Sequence, residues 1–261
     1  MFMRNLLSFL GIFLLTASFA LAGDLRFAQV TDVRYSKLDK DNALSKVITD
    51  INKQKNIEFV IFTGDNIQKV NPEYLEDFIK EAKKLNMPFY VVIGDKDVNK
   101  HKDLSKKEYA KILKKRLPNY RHTDVNYIFE KKGVVFFVVD GSKDVIPGTN
   151  GYFKENVVEW VDANLDLYPK KNVIIFQHFP LIPPAKNENY MTFKPEKYLQ
   201  VLEKHNNVKA VISGHFGVNN EETVNGILHM STAPSPSYRI IDIIDCTSSN
   251  PTIWAEVKEV Q

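Results

Sequence analysis

The chain has 261 residues, of which 44% are hydrophobic and 26% are charged, and its formal net charge is +3. This composition is typical of a folded globular protein, and it lacks the strongly basic character of nucleic-acid-binding domains. The length suits one large α/β domain or two small ones, and the single cysteine, Cys246, excludes an internal disulfide.

Residues 1–22 have the features of a secretory signal peptide. Arg4 precedes the largely apolar stretch Leu6–Phe19, and Ala20-Leu21-Ala22 forms an A-x-A cleavage site before Gly23. The alternative is an uncleaved membrane anchor, which is less favoured because the apolar stretch is short for a span of about 20 residues. We therefore expect a secreted or periplasmic protein, with residues 23–261 as its folded domain and no stable membrane span after cleavage.

After the predicted cleavage site, short apolar runs alternate with amphipathic segments, which predicts βαβ units and an α/β fold. Five of the apolar runs end just before an acid or a histidine. They are Leu25–Val30 before Asp32, Phe59–Phe62 before Asp65, Phe89–Ile93 before Asp95, Val173–Phe176 before His178, and Val208–Ile212 before His215. Open α/β sheets bind ligands beyond the carboxyl ends of their strands, so these five side chains are candidates for one site.

The other segments predict helices and a second group of strands. Asn42 is expected to cap a first helix, Pro72 to begin a second, and the lysine-rich segment Leu104–Leu117 to form a third. The remaining predicted elements are a hairpin of Tyr127–Glu130 and Val134–Val139, helices at about 154–167 and 195–204, and the tail strands Glu222–Val224, Ile227–Met230, Tyr238–Ile244 and Thr252–Val257. A second sheet built from the hairpin and the tail would give a layered α/β/β/α sandwich.

Five short blocks carry a resemblance to a known family. They are Thr31-Asp32-Val33-Arg34, Gly64-Asp65-Asn66, Gly94-Asp95-Lys96-Asp97, His178-Phe179-Pro180 and Gly214-His215-Phe216-Gly217. In this order they resemble the motifs of the calcineurin-like metallophosphoesterases, a family of two-metal phosphatases and phosphodiesterases. The resemblance extends from Gly23 to the C-terminus. It implies an α/β/β/α sandwich of two mixed sheets flanked by helices, and a phosphate ester or phosphorylated molecule as substrate.

The chain departs from the family pattern D-x-H, G-D, G-N-H-D/E, H and G-H-x-H at four positions. Arg34 and Gly217 stand where one metal would have histidine ligands, so the resemblance implies that this second metal site is lost. Asp95 replaces an asparagine ligand of the other metal, and Lys96 replaces the histidine that assists the leaving group. One divalent ion, Zn, Mn or Fe, remains as the implied cofactor. Its implied ligands are Asp65, Asp95, His178 and His215.

Five further residues are expected to act on the substrate or to prepare the site for it. Arg34 is expected to pair with Asp32, to replace part of the lost metal charge, or to grip a phosphate. Lys96 adds a second cation that is expected to give a proton or a charge to the leaving oxygen, and Asp97 is expected to hold either that lysine or its loop. The resemblance also implies that Asn66 helps to orient the phosphate.

Two functions compete at this point. The first is an exported metal-dependent hydrolase of phosphoric esters, a phosphatase or phosphodiesterase that is mononuclear and weak. The alternative is a catalytically inactive pseudophosphatase that serves as a binding or interaction domain, because two metal ligands and the acid-assisting histidine are lost. A metal carrier is the least favoured function, and no nucleic-acid partner is expected.

Each candidate also has a purely structural interpretation. Asp32, Asp65 and Asp95 could cap turns or helices after their strands, and His178 and His215 could be buried structural histidines. The lysine-rich run Lys106–Arg116 could mark a polyanion site, but a helix with a solvated face explains it without a function.

Overall fold

The structure, a computed structural model, describes residues 24–38 and 42–260. The predicted signal peptide therefore lies outside the described residues. Within these ranges, no helix is both long and apolar enough to cross a membrane.

Eleven strands and five helices alternate along the described chain. The strands are β1 Leu25–Val30, β2 Val60–Thr63, β3 Phe89–Val92, β4 Tyr127–Lys131, β5 Val134–Val138, β6 Val173–Phe176, β7 Val208–Ser213, β8 Asn220–Val224, β9 Ile227–Ser231, β10 Ser237–Ile244 and β11 Thr252–Glu259. The helices are α1 Ala43–Ile51, α2 Pro72–Ala82, α3 Lys106–Arg116, α4 Glu155–Leu165 and α5 Glu196–Lys204.

These strands form two mixed sheets. The first has the order β11-β10-β1-β2-β3, with β1, β2 and β3 parallel to one another and β10 antiparallel to β1. The second has the order β4-β5-β6-β7-β9-β8, in which β5, β6, β7 and β9 run parallel. The strands preceding the five candidate residues are therefore parallel strands of the two sheets, and β3 is the edge strand of the first sheet.

Alternation of side chains along the central strands explains why helices cover the outer faces. In β5, Val134, Phe136 and Val138 belong to the core that includes the first sheet. The intervening residues Val135 and Phe137 belong to a second core with α4 and α5. Because successive side chains point to opposite faces of a strand, an uninterrupted apolar strand must be buried on both sides. The order of layers is helices, sheet, sheet, helices, as the resemblance implied.

Aromatic rings fill the space between the sheets. Phe27 and Phe59 of the first sheet stack with centroids 4.8 Å apart, and Phe136 and Phe176 of the second stack at 5.4 Å. Edge-to-face contacts join the two pairs, for example Phe59 with Phe136 at 5.1 Å. Such pairs contribute about 0.5–1.5 kcal/mol each beyond their burial, so this cluster fixes how the two sheets sit on each other.

The predicted elements are present with small shifts at their ends, and two expectations were wrong. The tail does not join one sheet: β8 and β9 extend the second sheet, whereas β10 and β11 return to the first. They return because β2 pairs with only one edge of β1, and β10 pairs with the other edge over Leu25–Gln29. Asn42 precedes α1, but its side chain makes no capping hydrogen bond.

Candidate metal centre

The turns after five parallel strands meet at one edge of the two sheets. Asp32, Asp65 and Asp95 follow β1, β2 and β3, while His178 and His215 follow β6 and β7. The carboxyl ends of parallel strands share an edge, so the two stacked sheets bring the acids of one sheet opposite the histidines of the other. All five side chains are largely buried, and none of the carboxyl or imidazole groups exceeds 7% exposure.

Three of the predicted ligands form a compact triangle. Asp95 Oδ1 lies 3.4 Å from His178 Nε2 and 3.3 Å from His215 Nδ1, and the two ring nitrogens are 3.2 Å apart. A tetrahedral site with bonds of about 2.0–2.1 Å has edges of about 3.3 Å. These three atoms therefore have the spacing of one face of a metal tetrahedron.

The oxygen in this triangle has no other partner. Asp95 Oδ1 is buried and makes no hydrogen bond within the described part of the chain. A buried carboxylate oxygen without a donor is costly unless a cation compensates it. The set of one oxygen and two imidazole nitrogens suits zinc, manganese or iron, so these residues fit the divalent metal that the resemblance implied.

The fourth predicted ligand lies at the border of the triangle. Asp65 Oδ1 is 3.5 Å from His178 Nε2. Asp65 also forms a second group with Asp32 and His178, whose ligand atoms lie within 4.8 Å of one another. The structure thus distributes the four predicted ligands over two overlapping groups that share His178.

A backbone carbonyl orients the shared histidine. His178 Nδ1 lies 2.7 Å from the Thr63 carbonyl oxygen, which can only accept, so Nδ1 carries a proton and Nε2 faces the carboxylates. Burial alone would lower the pKa of His178, but the charges of Asp65, Asp95 and Asp32 raise it to about 10. A metal ion needs the neutral ring, so metal binding must release a proton from Nε2.

Opposing effects also act on the Asp95 carboxyl. Burial would raise the pKa of Asp95, but the adjacent His178 and His215 rings and the charge of Lys96 hold that pKa well below its usual range. Asp95 is therefore an anion that offers an oxygen to a cation over the whole ordinary pH range.

Two permanent cations lie over the second group of acids. Arg34 Nη2 is 3.4 Å from Asp32 Oδ1, and Arg34 Nε is 3.7 Å from Asp65 Oδ2. Lys96 Nζ is 2.7 Å from Asp65 Oδ2 and 3.4 Å from Asp95 Oδ2. Burial would lower the pKa of Lys96, but the charge and hydrogen bond of Asp65 raise it, so Lys96 is a fixed ammonium.

A second layer of hydrogen bonds beneath the site centres on Asp97. This fully buried carboxylate accepts from the peptide N–H groups of Asn66 at 2.7 Å, Ile67 at 3.1 Å and Gly94 at 2.8 Å. Burial and the charge of Asp65 raise the pKa of Asp97 to about 7, while the N–H groups favour its ionised form. Asp97 thus holds the loop, the second of the two roles expected for it, and the described residues show no contact between Asp97 and Lys96.

Asn66 lies in the same layer beneath the site, and its Oδ1 has no hydrogen-bond partner among the described residues. Its side chain is fully buried, and Nδ2 donates to Val92 O and Asp97 Oδ2, each at 2.8 Å, and reaches the Tyr109 hydroxyl at 3.2 Å. The expected orientation of phosphate by Asn66 has no support in this geometry, because its amide already binds the protein interior.

Aromatic side chains and the other histidines are divided between the site and the rest of the fold. The Tyr190 ring, which is 41% exposed, lies 5.3 Å from the His215 ring at the mouth of the site. Tyr152 packs on Phe193, and His229 is buried within β9. Tyr190 is therefore a partly exposed aromatic residue in contact with a candidate metal ligand.

Three groups at the site carry little or no signal in the sequence. The Thr63 carbonyl orients His178, but any residue type offers a carbonyl. Gly64 has a φ of +96°, and a Cβ atom there would lie 2.4 Å from His178 Nδ1, so glycine is needed both for the turn and for the histidine. At Gly217, by contrast, a Cβ would meet no described atom within 4 Å, so the position of the missing histidine is open space.

Comparisons with known proteins identify the family of this chain. A family model described as calcineurin-like phosphoesterase matches residues 25–219. A protein from Arcobacter nitrofigilis named probable glycerophosphodiester phosphodiesterase GpdQ is 28% identical over 218 residues, or 79% of this chain and 73% of that protein.

Solved structures share the fold. A dimetal phosphatase from Danio rerio superposes with a TM-score of 0.64 at 17% identity, covering 84% of this chain and 95% of the other. GAP50 of Plasmodium, described as the anchor in the inner membrane complex, gives a TM-score of 0.62 at 17% identity, covering 90% and 84%. The matched family segment contains all five strand-end residues as well as Arg34 and Lys96, so the chain belongs to the calcineurin-like phosphoesterase family, the metal-dependent hydrolases of phosphoric esters.

Proposed function

We propose that this chain is an exported hydrolase of phosphoric esters that works with one divalent metal ion. The observation that carries the proposal is the triangle of Asp95, His178 and His215, whose three edges of 3.2–3.4 Å match a metal-binding face. Asp65 Oδ1, 3.5 Å from His178 Nε2, is the fourth ligand in reach. When bound, such an ion polarises a phosphoryl oxygen and makes a bound water more acidic.

A single ion is proposed because Arg34 already occupies the place of the second. Its guanidinium faces both Asp32 and Asp65, and their charges are met without a metal. Gly217 offers no ligand atom. Arginine cannot lose its proton in proteins, so it remains a cation at any pH at which the chain is folded.

Arg34 and Lys96 also stabilise the reacting phosphoryl group. Charge grows on the phosphoryl oxygens as water attacks, and fixed cations beside them lower the barrier. The Arg34 side chain is 46% exposed and that of Lys96 is 38% exposed, so both can reach a substrate in the open cleft. Because the pKa of Lys96 is raised, we assign it electrostatic stabilisation of the leaving oxygen and not proton donation.

The relatives favour a diester as substrate. The Arcobacter nitrofigilis relative carries the name of a glycerophosphodiester phosphodiesterase. A mononuclear site with two added cations suits a monoanionic diester, because Arg34 and Lys96 supply the positive charge that the second ion supplies elsewhere. We therefore propose phosphodiesters ahead of monoesters.

The test combines metal analysis with turnover on the chain that begins at Gly23. We expect close to one zinc, manganese or iron ion per chain after dialysis, and hydrolysis of bis(4-nitrophenyl) phosphate faster than of 4-nitrophenyl phosphate. His178→Ala should lose the ion and at least about 100-fold in rate, whereas the exposed control His101→Ala should keep both. A metal-free protein whose rate equals that of His178→Ala would refute the proposal.

The second candidate is a catalytically inactive binding or interaction domain. The observation that favours it is the pairing of Arg34 and Lys96 with Asp32, Asp65 and Asp95, which neutralises the carboxylates within the chain itself. GAP50, which shares the fold, is described as an anchor. Stable folding with no bound ion and no melting shift on adding zinc or manganese would favour this function over hydrolysis.

Export is proposed from residues 1–22, with their positive charge, apolar stretch and A-x-A site. Expression of the full chain in a secreting bacterial host tests it. We expect the mature protein outside the cytoplasm with Gly23 as its first residue, and a chain that retains Met1 in the cytoplasm would contradict export.

A further inference from the structure

A cavity of about 550 Å³ opens directly beside the metal centre. It lies between the loop after β2, residues 68–71, and the loop after β3, residues 95–102. Asp95 and Lys96, which belong to the metal centre, line its inner end. Its volume is within the range of pockets that hold small ligands, so part of a substrate bound at the metal centre can extend into it.

The charge of this cavity is one-sided. Three lysines line it, Lys69, Lys96 and Lys102, whereas Asp95 is its one acidic lining residue and is already engaged at the metal centre. Lys69 and Lys102 are exposed and form no ion pair with any part of the chain that the structure describes. Unpaired cations around a concave surface attract anions more strongly than the same cations on a flat surface.

Backbone hydrogen bonds fix where these lysines stand. Asn99 N donates to Leu104 O at 2.9 Å, and Lys102 N donates to Asn99 O at 3.0 Å, which closes a tight loop. On the other wall, Gln68 N donates to Tyr35 O at 3.0 Å, and the Asn71 side chain accepts from Glu73 N at 2.7 Å at the start of α2. Lys69 thus lies between two hydrogen-bonded residues, so the backbone that carries both lysines is held at the walls of the cavity.

The lysines of α3 provide the contrast. Lys114 and Lys115 lie exposed in the last turn of α3 and do not line this cavity. Their charges are explained by solvation and by their favourable position at a helix C-terminus. Lys69 and Lys102 differ from these two lysines because they line a concave surface beside the metal centre.

We propose that this cavity is an anion subsite that binds a second negatively charged group of the substrate, a phosphate or a carboxylate. The inference rests on the proposed function, because the first phosphate must sit at the metal centre. The enzyme then selects phosphoric esters whose substituent carries its own negative charge over esters with a neutral substituent. The arrangement requires Lys69 and Lys102 to face the second anion while Arg34 and Lys96 face the reacting phosphate.

Binding of three matched ligands to the metal-loaded protein tests this selection by calorimetry. They are propyl phosphate, 3-carboxypropyl phosphate and propane-1,3-diol bisphosphate, which differ in the charge at the far end of the chain. We expect both charged ligands to bind the wild-type protein about tenfold more tightly than propyl phosphate, because the far anion can form charge-assisted hydrogen bonds with the lysines; tenfold corresponds to about 1.4 kcal/mol. A preference for the bisphosphate alone would identify phosphate as the second group.

The variants separate the subsite from general attraction of anions. Lys69→Ala/Lys102→Ala should bind all three ligands like propyl phosphate, and Lys69→Arg/Lys102→Arg should keep the preference. The control Lys114→Ala/Lys115→Ala removes the same charge elsewhere and should bind like the wild type. A preference that survives in Lys69→Ala/Lys102→Ala, or one that falls equally in the control, would overturn the inference.

The two proposals fail in distinguishable ways. A protein that shows the lysine-dependent preference but hydrolyses no ester keeps the subsite and loses the hydrolase. A protein that hydrolyses esters but binds the three ligands equally keeps the hydrolase and loses the subsite.

Discussion

Four residues of the site have backbone conformations that residues other than glycine rarely adopt. Asp32, Arg34, Asp65 and His215 have φ values of 51°, 46°, 51° and 66°. Such conformations cost about 1–3 kcal/mol each and persist where surrounding contacts enforce them. Here Asp32 N donates to Gly64 O at 3.0 Å and Arg34 N to Asp65 O at 2.8 Å, which locks the turns together. The strained turns direct the carboxylates of Asp32 and Asp65 toward the same site.

Gly64→Ala tests the close approach of a turn to His178. The added Cβ atom would lie 2.4 Å from His178 Nδ1, so the imidazole must move and lose its bond to the Thr63 carbonyl. We expect a loss of metal affinity of about 10–100-fold, measured by competition with a coloured chelator. Gly226→Ala is the matched control, since its φ of +80° imposes the same backbone cost and no described atom lies within 4 Å of the new Cβ. Equal losses in both variants would contradict the role of Gly64.

Arg34→His combined with Gly217→His should restore the second metal site. Arg34 lies against Asp32 and Asp65, and a Cβ at Gly217 would meet no described atom within 4 Å, so imidazoles at these positions would join two carboxylates already in place. The φ of +77° at Gly217 costs a histidine there about 1–3 kcal/mol, which metal binding must offset. We expect the metal content to rise from one ion per chain to two, measured by elemental analysis after dialysis. Gly217→His alone should remain at one ion, because the Arg34 cation still repels a second. A double variant that still holds one ion would contradict the proposed replacement.

At the scale of elements, Asp97 joins the loops that follow β2 and β3. It accepts from peptide N–H groups of both loops, Asn66 and Ile67 on one side and Gly94 on the other. These loops carry Asp65 and Asp95, so their spacing depends on a residue that touches neither metal nor substrate. The geometry of the proposed anion subsite, which lies between the same loops, would depend on Asp97 in the same way.

Asp97→Ala should therefore destabilise the metal-free protein. It leaves three buried N–H groups without an acceptor, and we expect a loss of about 3–5 kcal/mol in the free energy of unfolding. Asp97→Asn keeps one acceptor oxygen and should lose less. Urea unfolding with a chelator present measures both, with the exposed Asp103→Ala as control. A change below 1 kcal/mol in Asp97→Ala would contradict this view of the loops.

At the scale of the whole molecule, a histidine inside the second sheet sets part of the acid limit of stability. His229 in β9 is buried, its Nδ1 has no hydrogen-bond partner among the described residues, and burial lowers its pKa to about 4. In the unfolded chain it takes up a proton near its ordinary pKa of about 6.5. The unfolded state therefore binds more protons than the folded state between these two values, and stability falls as the pH falls.

The expected size of this effect is a loss of about 3 kcal/mol from pH 6.5 to pH 4. His229→Gln removes the titrating group, so its stability should vary less with pH over that range than that of the wild type. Chemical unfolding of the metal-free proteins at several pH values measures the slope, and the exposed His101→Gln serves as control. Parallel slopes for the wild type and His229→Gln would contradict the assignment.

Particular residues show how far the sequence could predict this protein. The five strand-end residues were predicted from strands that stop at an acid or a histidine, and the fold places them together because parallel strands end at one edge. The role expected of Asn66 stays a prediction, because a residue next to a candidate ligand need not face the site: its amide nitrogen donates inward to Asp97 and Val92. Lys69 and Lys102 were not singled out, because single lysines in loops have no pattern that separates them from solvated surface residues.

The sequence also could not predict that β10 and β11 return to the first sheet. Alternating apolar residues indicate that a strand has a buried face, but they do not identify the strand with which it pairs. The sequence by itself determined the succession of strands and helices, the two apolar cores and the residue types available at the strand ends, because these depend on periodicity and local chemistry. Only the tertiary structure decided which of those residues bring their ligand atoms close together. It also decided that Arg34 lies between two carboxylates and that three lysines line one cavity. Such distances arise from the stacking of two sheets and the strained turns between them, which join positions more than 100 residues apart in the chain.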